Sequence, residues 1–238
     1  MIIIVRSCGE RTTRECARRA AAHGMPEIIT AQPFGETMRQ TYRRGIEIAG
    51  SQRWLPVIDA DVLLFGDTIA QAVAELDKLD CQGHNVFCLD GKTVDKIMLR
   101  TRRAGVHIYR TAMLTTAMQY IDDDQLKPES HVRNCMAQYH AAPTHSGEIV
   151  FGTHDHEQYY VDLWRKAVCQ TRKLGGMMRN QPAEWARLAA KDADYRVILA
   201  AHEYGKAHSE LTIKIDRACD YDAAAHIAAM GLTEKGAM

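Results

Sequence analysis

The chain opens on an uninterrupted apolar run, Ile2, Ile3, Ile4 and Val5. So short a β-branched run reads as a buried strand over residues 2–5. The pattern then becomes helical. Thr12 and Glu15 have capping-box spacing and open a predicted helix that runs to His23, with Gly24 as its stop. Residues 27–30 read as a second strand. Residues 35–49 place Met38, Tyr42, Ile46 and Ala49 at helical spacing, and Gly50 follows. Residues 54–58 form a third strand. Asp67 is placed to cap a helix whose apolar stripe is Ile69, Val73, Leu76 and Leu79. This threefold alternation predicts a parallel sheet covered by helices.

The middle of the chain is less regular. Residues 85–89 and 105–110 read as strands and residues 113–121 as a helix. Asp122, Asp123 and Asp124 begin a solvated loop through Pro128. Residues 149–151 are a further short strand. Thr153, His154, Asp155, His156 and Glu157 then start a long predicted helix through Tyr160, Trp164 and Val168, stopped at Gly175 and Gly176. The rest is Ala-rich, with helices over 182–193 and 195–208. The expected fold class is α/β: a Rossmann-like, mostly parallel sheet flanked by helices, with a helical C-terminal region. Residues 1–160 form the expected core, and residues 161–238 an extension packed on it.

Composition permits this. Of 238 residues 46% are hydrophobic, enough for one sizeable core. Thirty basic residues balance thirty acidic ones, so no long-range field selects nucleic acid or an anionic membrane. Local basic runs such as Arg100 to Arg103, or Arg165 and Lys166, read as solvated faces. The seven cysteines include no CxxC pair, which suits a reducing compartment rather than a disulfide framework or a zinc ribbon. No apolar run reaches the roughly 18 residues of a membrane span. Residues 1–6 offer neither a basic n-region nor a long enough h-region, so no signal peptide is expected there. The expected location is cytoplasmic.

Candidate chemistry concentrates at Asp59 and Asp61. A strongly apolar strand ends there, and Val62, Leu63 and Leu64 follow. Residues i and i+2 of an extended chain point to one side, so both carboxylates are expected to converge beyond the strand end. Paired carboxylates suit a hard divalent cation, Mn²⁺ or Mg²⁺. Without metal, removing one should relieve repulsion and leave the fold intact. His154 and His156 lie at a predicted strand-to-helix junction, and a neutral imidazole there would add a nitrogen ligand. His154 is expected near the aspartates across about ninety residues, with the helix N-terminus aimed at an anion. The loop after the first strand holds Arg6, Ser7 and Glu10. No GxGxxG follows that strand and no GxxxxGK[ST] occurs, which argues against a dinucleotide dehydrogenase or a P-loop NTPase.

The segment from Trp54 to Leu64 resembles the DxD region of GT-A glycosyltransferases, which use nucleotide-diphosphate sugars. The resemblance implies a GT-A-like fold and a metal held by Asp61. It gives Asp59 to the sugar nucleotide or to the metal, and His154 or His156 to the metal as a further ligand. It also implies nucleotide contacts from Arg6, Ser7 and Glu10, and from the basic run Arg39, Arg43 and Arg44. The implied reaction is transfer of a sugar from a nucleotide-diphosphate sugar to a hydroxyl acceptor. An inverting enzyme needs a carboxylate base, for which Asp155 comes first, Glu157 second and Glu148 third.

Two rivals share the motif. A haloacid-dehalogenase-like phosphatase also carries a strand followed by DxD, with one aspartate as nucleophile. Here Leu63 stands where a threonine is usual, and Lys92 or Lys96 would supply the lysine. A non-catalytic module binding a nucleotide sugar or nucleic acid would use the same loop without a metal.

Overall fold

The computed structural model describes residues 1–30, 34–125, 127–174, 180–208, 210 and 221–238. The expected helix stop at Gly175 and Gly176 lies outside these residues. Eight strands form one sheet in the order β2-β1-β3-β6-β5-β8-β4, with β7 beside β5. They are β1 (Ile2–Ser7), β2 (Met25–Thr30), β3 (Trp54–Asp59), β4 (Val62–Leu64), β5 (Cys88–Asp95), β6 (Arg100–Arg110), β7 (Thr144–His145) and β8 (Val150–His154). Only β4 and β6 oppose the common direction, since β6 is antiparallel to both β3 and β5, and β4 is antiparallel to β8. The α/β class and the mostly parallel sheet are therefore as expected. β1, β3 and β8 bring their carboxyl ends to one edge, where ligands bind in such sheets.

Helices cover both faces. α1 (Thr13–Ala20) and α3 (Thr68–Cys81) lie over a cluster that includes Ile3, Val5, Ile58 and Val106. On the opposite face α2 (Phe34–Glu47), α4 (Leu114–Met118) and α5 (Pro128–His140) enclose Ile4, Leu55, Val57 and Tyr109. The alternation of Ile3 with Ile4 between the two clusters follows from the two-residue strand period. A third cluster joins α6 (Tyr160–Leu174), α7 (Gln181–Ala189), α8 (Ala193–Ala207) and α9 (Ala223–Ala229) to Ile97 and Met98 of the β5–β6 turn. The Trp185 indole donates to the Ile97 carbonyl at 2.9 Å, and Lys96 pairs with Asp194 at 2.5 Å.

Several local readings are corrected. Thr12 does not cap α1; its hydroxyl donates to the Ala60 carbonyl at 2.7 Å, and Arg18 and Arg19 hold Glu15. Asp67 makes no side-chain cap either. The stretch after Asp124 is not all loop, because Pro128 opens α5, as proline can in a first helical turn. The largest correction concerns residues 153–157. β8 extends through His154, held between β4 and β5. Asp155 and Glu157 then adopt left-handed backbone, with φ of 63° and 58°, which no helix of L-residues continues. α6 therefore begins at Tyr160. Its first amides are taken by Glu234, which accepts from Tyr160 N at 2.7 Å and Val161 N at 3.1 Å. That helix end is not open to an anion.

Candidate active site

Asp59 and Asp61 do not converge. Asp59 is the last residue of β3, and Ala60 and Asp61 form the turn into β4. The turn breaks the extended geometry that would have put both side chains on one side. Asp59 Oδ1 accepts from Arg6 Nε at 2.9 Å and Nη2 at 2.6 Å. Asp61 faces a different group of residues, and its backbone carbonyl accepts from Asp155 N at 3.1 Å, which ties the β3–β4 turn to the end of β8.

Around Asp61, four elements contribute charge: β5, β6, β8 and α6. His154 Nε2 lies 3.5 Å from Asp61 Oδ1, while His154 Nδ1 lies 2.9 Å from Asp95 Oδ2 and 3.0 Å from Asp155 Oδ2. Lys166, from the second turn of α6, donates to Asp61 Oδ2 and, at 2.5 Å, to Asp155 Oδ1. Arg102 reaches Asp95 Oδ2 at 2.6 Å. Asp61 is only 5% exposed, and its Oδ1 finds no hydrogen-bond partner among the described residues.

The electrostatics follow from burial opposed by pairing. Burial by itself would favour neutral His154, but the charges of Asp155 and Asp61 outweigh it and raise its pKa well above the usual range. The Lys166 ammonium is raised in the same way, against its own burial, by Asp155 and Asp61. The Asp155 carboxyl is lowered: burial would raise it, and His154 and Lys166 prevail. Asp155 is thus a committed anion with both oxygens engaged, which is unfavourable for the base role expected of it.

Asp61, His154 and Asp155 are the one group of metal-competent side chains among the described residues, with ligand atoms within 4.8 Å of one another. The orphaned Asp61 Oδ1 and the oxygen–nitrogen donor set suit Mn²⁺ or Mg²⁺. However, Lys166 Nζ sits between the two carboxylates where such an ion would bind. Asp61, Asp95 and Asp155 are balanced by Lys166, Arg102 and protonated His154. As arranged, these residues do not fit a divalent ion.

A second buried network lies on the opposite face of the sheet. Arg6, 3% exposed, bonds Glu129 of α5 at 2.5 Å as well as Asp59. His107 of β6 lies between Asp90 at 3.1 Å and Glu129 at 3.3 Å. Burial would keep this imidazole neutral, but Glu129 and Asp90 raise its pKa to about 9. The Arg6 guanidinium is therefore enclosed by carboxylates rather than open in the loop.

The other sequence candidates are scattered. Ser7 Oγ donates to Glu10 Oε2 at 2.9 Å, and Cys8 N donates to the same oxygen at 2.7 Å, which shapes the β1–α1 loop. Burial and the nearby Asp61 charge raise the Glu10 carboxyl pKa. Arg39 pairs with Asp123, Arg43 with Glu36, and Arg44 with Glu27 and Glu47. His156 is not part of the group gathered at Asp61, and its pKa is lowered by burial and by Lys96. Glu157 is exposed and pairs with Arg11 at 3.0 Å. Glu148 pairs with Lys92 at 2.5 Å.

Sequence reasoning missed Lys166, Asp95, Arg102, Glu129 and His107. The runs Arg100–Arg103 and Arg165–Lys166 are expected as solvated faces. Arg100, Thr101 and Arg103 are exposed, but Arg102 reaches buried Asp95 and Lys166 reaches the Asp61–Asp155 pair. One signal for Lys166 was available: Leu163, Trp164, Ala167, Val168 and Cys169 surround it on the helix with apolar side chains. A lysine among such neighbours needs a carboxylate partner.

No family model matches the chain, and no curated protein matches it. Several solved structures are similar. One is a glycosyltransferase involved in the glycosylation of the major capsid of PBCV-1, with 10% identity over 61% of this chain and 80% of that one, TM-score 0.41. Another is CMP:2-keto-3-deoxy-manno-octonic acid synthetase complexed with CTP, with 10% identity over 65% of this chain and 91% of that one, TM-score 0.39. A third is a cytidylyltransferase from Leptospira borgpetersenii serovar Hardjo-bovis, with 13% identity over 62% of this chain and 75% of that one, TM-score 0.36. No helix among the described residues is long and apolar enough to cross a membrane.

Proposed function

We propose that this protein is a glycosyltransferase that moves a sugar from a nucleotide-diphosphate sugar to a hydroxyl acceptor at the edge formed by β1, β3 and β8. The observation that carries the reading is the meeting of Asp61, Asp155 and Lys166 from three separate elements at that edge, with Asp61 Oδ1 accepting no hydrogen bond among the described residues. Buried charge of this kind is costly unless it serves a ligand or is fully paired. The resemblance of the segment from Trp54 to Leu64 to the GT-A region supplies the substrate class.

In this reading the Ser7–Glu10 loop and the β3–β4 turn receive the nucleotide and its diphosphate. A departing diphosphate needs positive charge close to the breaking bond. A divalent ion of the kind the resemblance implies would draw on Asp61, His154 and Asp155, and Lys166 stands where it would sit. The positive charge facing the phosphates is therefore the ammonium. Glu10, with its raised pKa and its place near Asp61, is better suited to hold or accept a proton than Asp155.

The phosphatase rival is less well supported. Its nucleophile would be Asp59, whose Oδ1 is held by two nitrogens of Arg6. Lys92 and Lys96 pair with Glu148 and with Asp192 and Asp194, not with Asp59. The test is turnover of a panel of nucleotide-diphosphate sugars, with EDTA or with Mn²⁺, followed by release of nucleoside diphosphate. Slow donor hydrolysis that is lost in Asp61→Asn is expected. Phosphate release from monoesters without donor turnover would instead establish the phosphatase, and binding without either reaction would establish a module.

A further inference from the structure

Two cations reach both carboxylates at the Asp61 edge, the His154 imidazolium and Lys166, and of the two Lys166 bonds both more closely. It is carried by a helix whose position is fixed on the other side. Leu163, Trp164, Ala167 and Val168 are all buried in the cluster that α6 shares with α8 and α9. The ammonium is thus delivered to the sheet edge by a packed helix. Its two bonds run to Asp61 Oδ2 and, at 2.5 Å, to Asp155 Oδ1. The candidate metal-ligand atoms of Asp61, His154 and Asp155 lie within 4.8 Å of one another. A divalent ion bonded to oxygens at roughly 2.0–2.6 Å would need the same space. Ammonium and metal cannot share it, because steric overlap and like-charge repulsion act together at that separation.

We propose that the Lys166 ammonium is the resident cation of the Asp61–Asp155 carboxylate pair and excludes divalent metal from it. Asp61 Oδ1, on a side chain 7% exposed, accepts no hydrogen bond among the described residues and marks the direction in which the pair retains binding capacity. It faces His154 Nε2, whereas His154 Nδ1 is taken by Asp95 and Asp155. Removal of the ammonium clears the space between Asp61 and Asp155, and His154 Nε2, once metal binding displaces its proton, completes a donor set that suits Mn²⁺. While the Lys166 ammonium is present, the space a divalent ion needs is taken. The inference concerns the cation alone and stands whether or not the site transfers a sugar. Where the glycosyltransferase reading holds, it adds that donor binding is insensitive to EDTA.

The experiment titrates Mn²⁺ into the full-length protein at neutral pH and follows free Mn²⁺ by electron paramagnetic resonance, with circular dichroism as a check on folding. Wild type and Lys166→Arg, which keeps the charge, should leave the free-ion signal as in buffer. Lys166→Met, neutral and of similar volume, should take up one equivalent with an affinity at least about tenfold higher, since a buried opposing charge has gone. Adding Asp61→Asn to that variant should abolish the uptake. Stoichiometric Mn²⁺ binding by wild type that disappears in Asp61→Asn overturns the proposal, and so does a folded Lys166→Met that gains nothing. Should Lys166→Met not fold, the wild-type and Asp61→Asn titrations decide: uptake sensitive to Asp61 overturns the proposal, and its absence upholds it. Failure of the transferase reading alone would show as an inactive protein with this Mn²⁺ pattern intact.

Discussion

Lys166 Nζ lies 2.5 Å from Asp155 Oδ1, joining a packed helix to the left-handed residue that follows β8. Eleven residues separate them in sequence, and the loop between them contains no regular structure until Tyr160. The contact closes this loop against the β3–β4 turn, because the same ammonium also bonds Asp61. The strained backbone at Asp155 is thereby matched by an ion pair at its side chain.

Asp61→Asn should cost stability. Removing one partner of a buried ion pair leaves the other undercompensated, at a typical cost of about 3 kcal/mol. This reverses the expectation from sequence, where two facing aspartates would gain from losing one. Urea denaturation at pH 7 measures it, and an unchanged midpoint would show that Lys166 is not paired in solution.

Stability should also fall on the alkaline side, through His107. Its folded pKa of about 9 lies above the ordinary 6.5, so folding is favoured by the proton it holds. That contribution is complete below pH 6.5 and is lost as pH rises through about 9. The shift corresponds to about 3 kcal/mol for a fully buried imidazole. Urea midpoints recorded between these pH values should decline in wild type and stay flatter in His107→Gln. Parallel declines would remove His107 as the cause.

A third expectation concerns the close approach of β8 to β4. A Cβ at Gly152 would stand 2.2 Å from the Leu63 carbonyl oxygen, a backbone atom that cannot rotate away. Gly152→Ala should force the two strands apart and destabilise by about 2 kcal/mol, as overpacking does. His154 sits two residues further along β8, so its ring should also shift away from Asp61. The imidazole resonances of His154 and a thermal melt test both parts, and a variant with a native melt and native resonances would contradict them.

Glu234→Gln should weaken the start of α6 by about 1 kcal/mol, the usual worth of a cap. Amide exchange at Tyr160 and Val161 should quicken while the rest of α6 is little changed. Equal exchange in both proteins would show that the tail does not cap the helix.

Legibility from sequence followed the kind of signal available. The first three strands and the helices between them were readable, since Ile3, Ile4, Met38, Tyr42 and Val57 carry clear periodicity and are all buried. The proximity of His154 to Asp61 followed from strand direction, because β8 runs the same way as β3. The divergence of Asp59 from Asp61 was not readable. It depends on where β3 stops, and Val62, Leu63 and Leu64 gave no sign of a separate strand pairing with residues ninety positions away. α5 was obscured by the three aspartates before it, although Pro128 is a legitimate helix opener. The partners of Arg6 and Lys166 lie more than a hundred residues distant in two cases, Glu129 and Asp61, and no local pattern encodes such pairs.

The tail that supplies Glu234 has a consequence for synthesis. Lys235 pairs with Asp194 at 2.5 Å, the Gly236 carbonyl accepts from Arg11 at 2.6 Å, and Glu234 lies 74 residues beyond the amide of Tyr160 that it caps. A nascent chain folds its amino-terminal parts first. The sheet and α1 can therefore form before residues 234–236 have emerged, but the loop between β8 and α6 cannot be tied down until they have. The polar edge is therefore fastened only after the sheet, and a chain stalled before residue 234 carries a folded sheet with an unfastened rim.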